Sequence, residues 1–162
     1  MAYVLENLRS FLGAKQPSSP FAPTSLPYLR RQTVEVDVSI PANTPANAST
    51  VATLTIDPKV GGVSQYTIPK GYMFKAVDIY IKASGDVGAD GIAKFKLNFF
   101  KDQLITPPLS TMLVSNPSRP TAPTTTWNEG DTISCEFINT VAVGASAVTN
   151  KFYIVFDVYG RE

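Results

Sequence analysis

The chain has no histidine and one cysteine, Cys135, among its 162 residues. With those ligands missing, the usual zinc sites cannot be assembled from one copy. Serine triads and cysteine–histidine dyads are excluded in their common forms. A lone cysteine forms no internal disulfide, so no cross-link stabilises the fold. Cys135 alternates with Ile133 and Phe137 and reads as a small core residue. Charge is also scarce, at 17% of residues against roughly 25% in an average domain. No run approaches the roughly 20 apolar residues that cross a bilayer as a helix. Residues 1–12 lack a basic leader region, and Glu6 and Arg9 interrupt their apolar run, so no secretory signal is expected.

What is present is period-two alternation. Thr33 to Ile40 reads TVEVDVSI, and Phe152 to Tyr159 reads FYIVFDVY. Alternation of this kind predicts strands with one buried face. The first strand, 33–40, buries Val34, Val36, Val38 and Ile40. A turn follows at Pro41–Asn47. A second strand near 50–57 puts Ala52, Leu54 and Ile56 inside. A short strand is expected at 65–68, then a strand over 72–83 with Val77, Ile79 and Ile81 inside. The strand 93–100 buries Phe95, Leu97 and Phe99, and 132–138 buries Ile133, Cys135 and Phe137. The last, 151–159, buries Phe152, Ile154, Phe156 and Val158. It also carries Val155 and Tyr159 on its other face, so it is expected to be central or covered by another chain. Residues 106–126 hold five prolines and form a long connection. No helical period interrupts the body. The fold class is therefore all-β, an antiparallel two-sheet β-sandwich preceded by an extended N-terminal arm.

The expected division is an arm over 1–31 and a sandwich over 32–162. Residues 2–13 carry an apolar stripe, Val4, Leu5, Leu8, Phe11 and Leu12, at helical spacing. Twelve residues are marginal as a lone helix in water, so this stripe needs a surface to dock on. Four prolines between Gln16 and Leu29 forbid both helix and central strand and predict an extended, semi-rigid segment. Residues 1–31 carry net +3 and the remainder −2. A basic arm on a faintly acidic body can meet an anionic surface or an acidic patch on the next copy. The residues expected to act in such contacts are Arg9, Phe11, Lys15, Phe21, Tyr28, Arg30 and Arg31.

Other chemistry finds little footing. Asp86 and Asp90 lie in one glycine-rich loop and Glu129 and Asp131 in another, where turns ordinarily use aspartate and glutamate. The loop 85–91 lacks the ligand spacing and closing glutamate of an EF-hand. No catalytic residue, metal or cofactor is expected, and the chain is not expected to be an enzyme. Lys94 and Lys96 share the outer face of one strand, which makes a solvated face rather than a sequence-specific nucleic-acid groove. Trp127 lies between a proline-rich loop and a strand start, where a tryptophan more often caps an end of the sandwich; with Tyr66, Tyr72 and Tyr80 it also offers an aromatic platform for a glycan. That leaves a carbohydrate- or receptor-binding module of a spike or fibre as the second reading, with Trp127 its ligand platform.

Three stretches carry a resemblance. They are Tyr66-Thr-Ile-Pro-Lys-Gly-Tyr-Met-Phe-Lys-Ala-Val-Asp-Ile-Tyr-Ile-Lys82, Asn128-Glu-Gly-Asp-Thr-Ile-Ser-Cys-Glu-Phe-Ile-Asn-Thr140, and Phe152 to Glu162. Together they resemble single jelly-roll capsid proteins of icosahedral viruses, above all those with an internal membrane. The resemblance spans roughly 33–159 and lies in the order of strands and turns. It implies eight strands in two sheets and a virion location. It also implies assembly with copies of itself and other capsid proteins, and an arm that runs under neighbours or toward lipid headgroups. Six strands are evident from alternation, so two more are expected within 65–68, 106–126 or 138–143.

Overall fold

The computed structural model describes residues 26–97, 103–121 and 124–161. Ten strands make up the described body: β1 (Tyr28–Ile40), β2 (Ser49–Val51), β3 (Thr53–Thr55), β4 (Tyr66–Thr67), β5 (Tyr72–Tyr80), β6 (Gly91–Lys96), β7 (Gln103–Leu104), β8 (Thr126–Trp127), β9 (Thr132–Asn139) and β10 (Val148–Gly160). Short 3-10 turns occupy Ser84–Asp86 and Leu109–Met112. One sheet runs β3-β1-β10-β5-β8. The other runs β2-β9-β6-β7, with β4 also on β9.

The pairing follows one rule. β1 pairs antiparallel with β10, β2 with β9, β5 with β8, and β6 with β7. First meets last, and each later strand meets the corresponding earlier one from the other end. This is a long hairpin rolled into two facing sheets, the connectivity of a jelly roll. The short pieces β3 and β4 lie on the connection from β2 to β5. The two strands that alternation alone did not reveal are β8, at the end of the proline-rich connection, and β7, just ahead of it. Both are two residues long, too short for a period to register.

The inner faces follow the alternation closely. Val34, Val36, Val38 and Ile40 are at most 1% exposed, as are Phe152, Ile154, Phe156 and Val158. Ile133, Cys135 and Phe137 face them from β9. Burial in this apolar setting pushes the Cys135 thiol far above its usual range and leaves it an inert core group. β10 is central, between β1 and β5, which explains its apolar content on both faces.

Three departures have physical causes. First, the run 50–57 is not one strand. Its β2 part joins β9 and its β3 part joins β1, and the chain changes sheet at Ala52, whose N–H donates to the Cys135 carbonyl at 2.9 Å. Such a crossing makes a corner of the sandwich. Secondly, Val77 is not in the core. Val155 pairs with Asp78 and Phe156 with Ala76, which leaves Val77 as an extra residue. This bulge shifts the phase of β5, so Phe74 and Ala76 point inward before it and Ile79 after it. Thirdly, β1 begins at Tyr28 rather than Thr33. Tyr28, Arg30 and Arg31 therefore belong to the body's own sheet, and the boundary of the body moves ahead of residue 32.

At the far end of the chain, Gly160 donates its N–H to the Pro27 carbonyl at 3.0 Å, and Arg161 donates to the Gly71 carbonyl at 3.3 Å. The entry to β1 is thereby tied to the end of β10. Gly71 supports the same corner. Its φ of +83° is open to glycine with little strain, and its N–H donates to Glu129 Oε2 at 2.7 Å.

Candidate functional site

β1 continues past the core. Antiparallel partners share a face, so Arg30 and Gln32, opposite Val158 and Phe156, lie on the inner face. Arg31, opposite Asp157, lies on the outer one. The buried residues of β1 itself end at Val34, while its partners Phe156 and Val158 on β10 stay in the core. Beside this stretch of β1 lies a cleft of about 530 Å³, within the range typical of binding pockets. Arg30, Arg31 and Gln32 line it on one side, and the stretch 56–66, with Ile56, Val63 and Tyr66, on the other.

The polar groups of the cleft hold its shape. Gln32 Nε2 donates to the Ile56 carbonyl at 3.0 Å, and Arg30 Nε donates to Gln32 Oε1 at 3.3 Å. Ile56, Val63 and Tyr66 pack their inner sides on the core. The Tyr66 ring lies 5.8 Å from Phe74. Burial raises the Tyr66 hydroxyl above its ordinary pKa, and the positive charge of Arg30 opposes that shift. Val60 is 77% exposed at the rim, the most exposed of the large apolar side chains described.

The two adjacent arginines have separate roles. Arg31 turns outward and forms a fork on Asp157, Nε to Oδ1 at 2.8 Å and Nη2 to Oδ2 at 3.3 Å. The hydrogen bond to Asp157 and its charge raise the Arg31 pKa. Arg30 instead reaches Gln32, and both arginines border the cleft. Tyr28 packs edge-on against Tyr159 at 5.7 Å and stays 54% exposed. Of the residues expected to make contacts, these three lie together where the chain enters the body. Arg9, Phe11, Lys15 and Phe21 lie outside the described residues.

Trp127 is no ligand platform. It is 0% exposed, wedged between Phe95 at 6.0 Å and Phe156 at 5.7 Å. Its Nε1 is directed at the Lys96 carbonyl at 3.5 Å. Trp127, the last residue of the short strand β8, fills the sandwich because its large ring gains most from burial on both faces. Tyr80 is also occupied, stacked on Tyr153 at 5.3 Å, while Lys82 lies 4.3 Å from the Tyr153 ring centre.

The carboxylates of the loops hold turns. Asp86 Oδ2 accepts the Ala83 N–H at 3.1 Å, and Asp90 Oδ1 accepts Gly91 N–H and Ser110 Oγ–H. Asp131 Oδ2 accepts the Asn128 N–H at 2.7 Å. Among the described residues no group of three or more histidine, cysteine, aspartate or glutamate side chains is placed to hold a metal ion. Lys96 is paired with Glu136 across the outer face of the second sheet, and Ser49 donates to the same carboxylate at 3.0 Å.

On the outer face of the first sheet, Lys151 Nζ lies 3.2 Å from Glu35 and 3.8 Å from Asp37. Burial raises the Asp37 carboxyl pKa, its hydrogen bond with Glu35 adds to that, and the Lys151 charge only partly offsets both. Glu35 is also desolvated, but its hydrogen bonds from Lys151 and Asp37 hold it below the ordinary value.

Two buried asparagines went unnoticed in the sequence. Asn150 Oδ1 accepts the N–H groups of Gly88 and Ala89 at 2.8 and 3.2 Å. Asn139 Nδ2 donates to the carbonyls of Pro45 and Val141 at 2.9 and 2.8 Å. They pin loops to strand ends. A polar residue on an inward phase of β10 was the available signal, since such a residue must satisfy something local. Compared with models of known protein families and with curated proteins, the chain matches none.

Proposed function

We propose that this protein is a non-enzymatic structural subunit of a virus particle, which self-assembles through its N-terminal segment into rings or a shell. The reading is carried by one observation: among the described residues, both sheets and the core between them are built from β1 onward. All the described core residues lie at Val34 or beyond, and the entry to β1 is fastened to Gly160 through Pro27. The 25 residues ahead of Leu26 nonetheless carry the stripe Val4, Leu5, Leu8, Phe11 and Leu12 and the aromatic Phe21. An apolar stripe of this kind is suited to a neighbouring subunit or to lipid headgroups at a membrane. Arms that tie neighbours together raise avidity through effective concentration.

The low charge of the chain supports large self-contacts, and its short outer strands limit indiscriminate edge pairing. The test is the size of the purified full-length chain over a concentration series, by sedimentation and negative-stain electron microscopy. Rings or closed shells are expected. A monodisperse monomer at every concentration, with and without lipid vesicles, would overturn the reading.

A further inference from the structure

We infer that the cleft between β1 and the connection 56–66 is the receptor for residues 16–25 of a second copy of this chain. The inference rests on the assembly reading above and adds the docking place and the direction of exchange.

The cleft has the chemistry of an extended-peptide groove. Ile56, Val60, Val63 and Tyr66 give it an apolar wall, and Arg30 and Gln32 give it a polar lip. Arg30 uses one donor on Gln32, and a guanidinium has five in all, so donors remain for peptide carbonyls. The edge of β1 is open there as well. β3 covers only Glu35 to Asp37, and no described strand pairs with the stretch from Tyr28 to Val34 on the side away from β10.

The sequence 16–25 is Gln-Pro-Ser-Ser-Pro-Phe-Ala-Pro-Thr-Ser. Prolines at 17, 20 and 23 recur every three residues, the period of a polyproline helix. Such segments lose little entropy on docking and are recognised by aromatic-lined grooves. Phe21 is the one large apolar side chain of the segment, matched to a wall of three aliphatic residues and a tyrosine.

Stiffness decides between a chain's own cleft and its neighbour's. At 3.1 Å per residue, residues 16–26 reach about 31 Å. That is more than twice the radius of gyration, about 14 Å, of a domain this size. The cleft lies alongside β1 at Arg30 and Gln32, past the point where the strand begins at Tyr28. For Phe21 to fill the cleft of its own chain, the segment would have to double back along β1 between Phe21 and Tyr28, against the stiffness its proline spacing implies. Filling a neighbour's cleft requires no such reversal.

Disulfide trapping tests this in the full-length chain. Cys135 is wholly buried and gives little background. One preparation carries Phe21→Cys and another Val60→Cys, and the two are mixed before mild oxidation. A disulfide-linked dimer of the two variants is expected, at least tenfold above that formed with Val114→Cys, an exposed valine outside the cleft. Val60→Glu should raise the concentration needed for assembly about tenfold, the loss expected when a charge replaces one apolar contact. Absence of the mixed dimer overturns the inference. So does a chain carrying both cysteines that closes only on itself. If particles form without the cross-link, assembly stands and this docking place falls. If neither forms, the assembly reading falls with it.

Discussion

The two halves of β1 share a partner, β10, and an antiparallel register broken by a bulge between Tyr28 and Arg30, yet they live in different environments. From Val34 to Ile40 the inward residues are almost wholly excluded from water. From Tyr28 to Thr33 the same face carries Arg30 and Gln32 and borders an open cleft. The difference shows that a ladder of backbone hydrogen bonds can outrun the apolar core that nucleates it. The C-terminal half is held by burial and the N-terminal half by pairing and local side-chain contacts. One half stabilises the fold, and the other presents a surface.

The largest effect should come from the buried half's surroundings. Phe156 packs on Phe74 and Trp127 with no exposure. Phe156→Ala is expected to cost about 3–5 kcal/mol in urea unfolding. A loss under 1 kcal/mol would show that the core is not continuous there. Next comes the close approach at the start of β6. A methyl group on Gly91 would sit 2.4 Å from the Ile138 carbonyl and from the Phe137 ring. Gly91→Ala should destabilise by about 1–3 kcal/mol, measured the same way.

The exposed half is tested by truncation. Removing residues 1–27 should leave the melting temperature within about 2 °C of the full chain. Removing 1–31 also deletes the Tyr28–Tyr159 pair and the Arg31–Asp157 fork, and should lower it by about 5 °C. Equal melting temperatures for the two truncations would mean that the first four residues of β1 contribute nothing.

The smallest effect concerns pH. The raised Asp37 pKa means that its ionised form opposes folding, and this opposition fades as pH falls through the folded value. The lowered Glu35 pKa works oppositely: its contribution is full above the ordinary carboxylate pKa and is lost as pH falls through the depressed value. Asp37→Asn should therefore abolish the gain on mild acidification and leave the loss at lower pH, with changes within about 2 °C because both groups are largely solvated. A thermal-melt series from pH 3 to 7 reads this.

Much of the sandwich was legible because burial writes itself as alternation. Val34 to Ile40 and Phe152 to Val158 needed nothing else. The start of β1 was not legible for the same reason. Tyr28 to Gln32 reads YLRRQ, and backbone pairing with β10 requires no apolar period in β1 where Phe156 and Val158 of β10 supply the buried side. The bulge at Val77 was hidden because a valine fits either side of a strand, and only the register with β10 shows that the phase slips. Of the two readings open for Trp127, the platform fails because the ring is fully buried, and a large aromatic next to a proline-rich stretch looks the same in sequence whether it serves a surface or fills the sandwich. The cleft had no sequence signature, since its walls come from β1 and from residues 56–66, far apart in the chain. Arg30 and Arg31 looked alike side by side, and only the strand's two faces separate them.

The central claim is that the jelly roll is complete in itself and that the segment ahead of it joins one subunit to another. Particle size measured side by side for the full chain and for the chain lacking residues 1–27 tests this most directly. The account predicts rings or shells for the first and a folded monomer for the second. Particles of equal size from both, or an unfolded truncated chain, would contradict it.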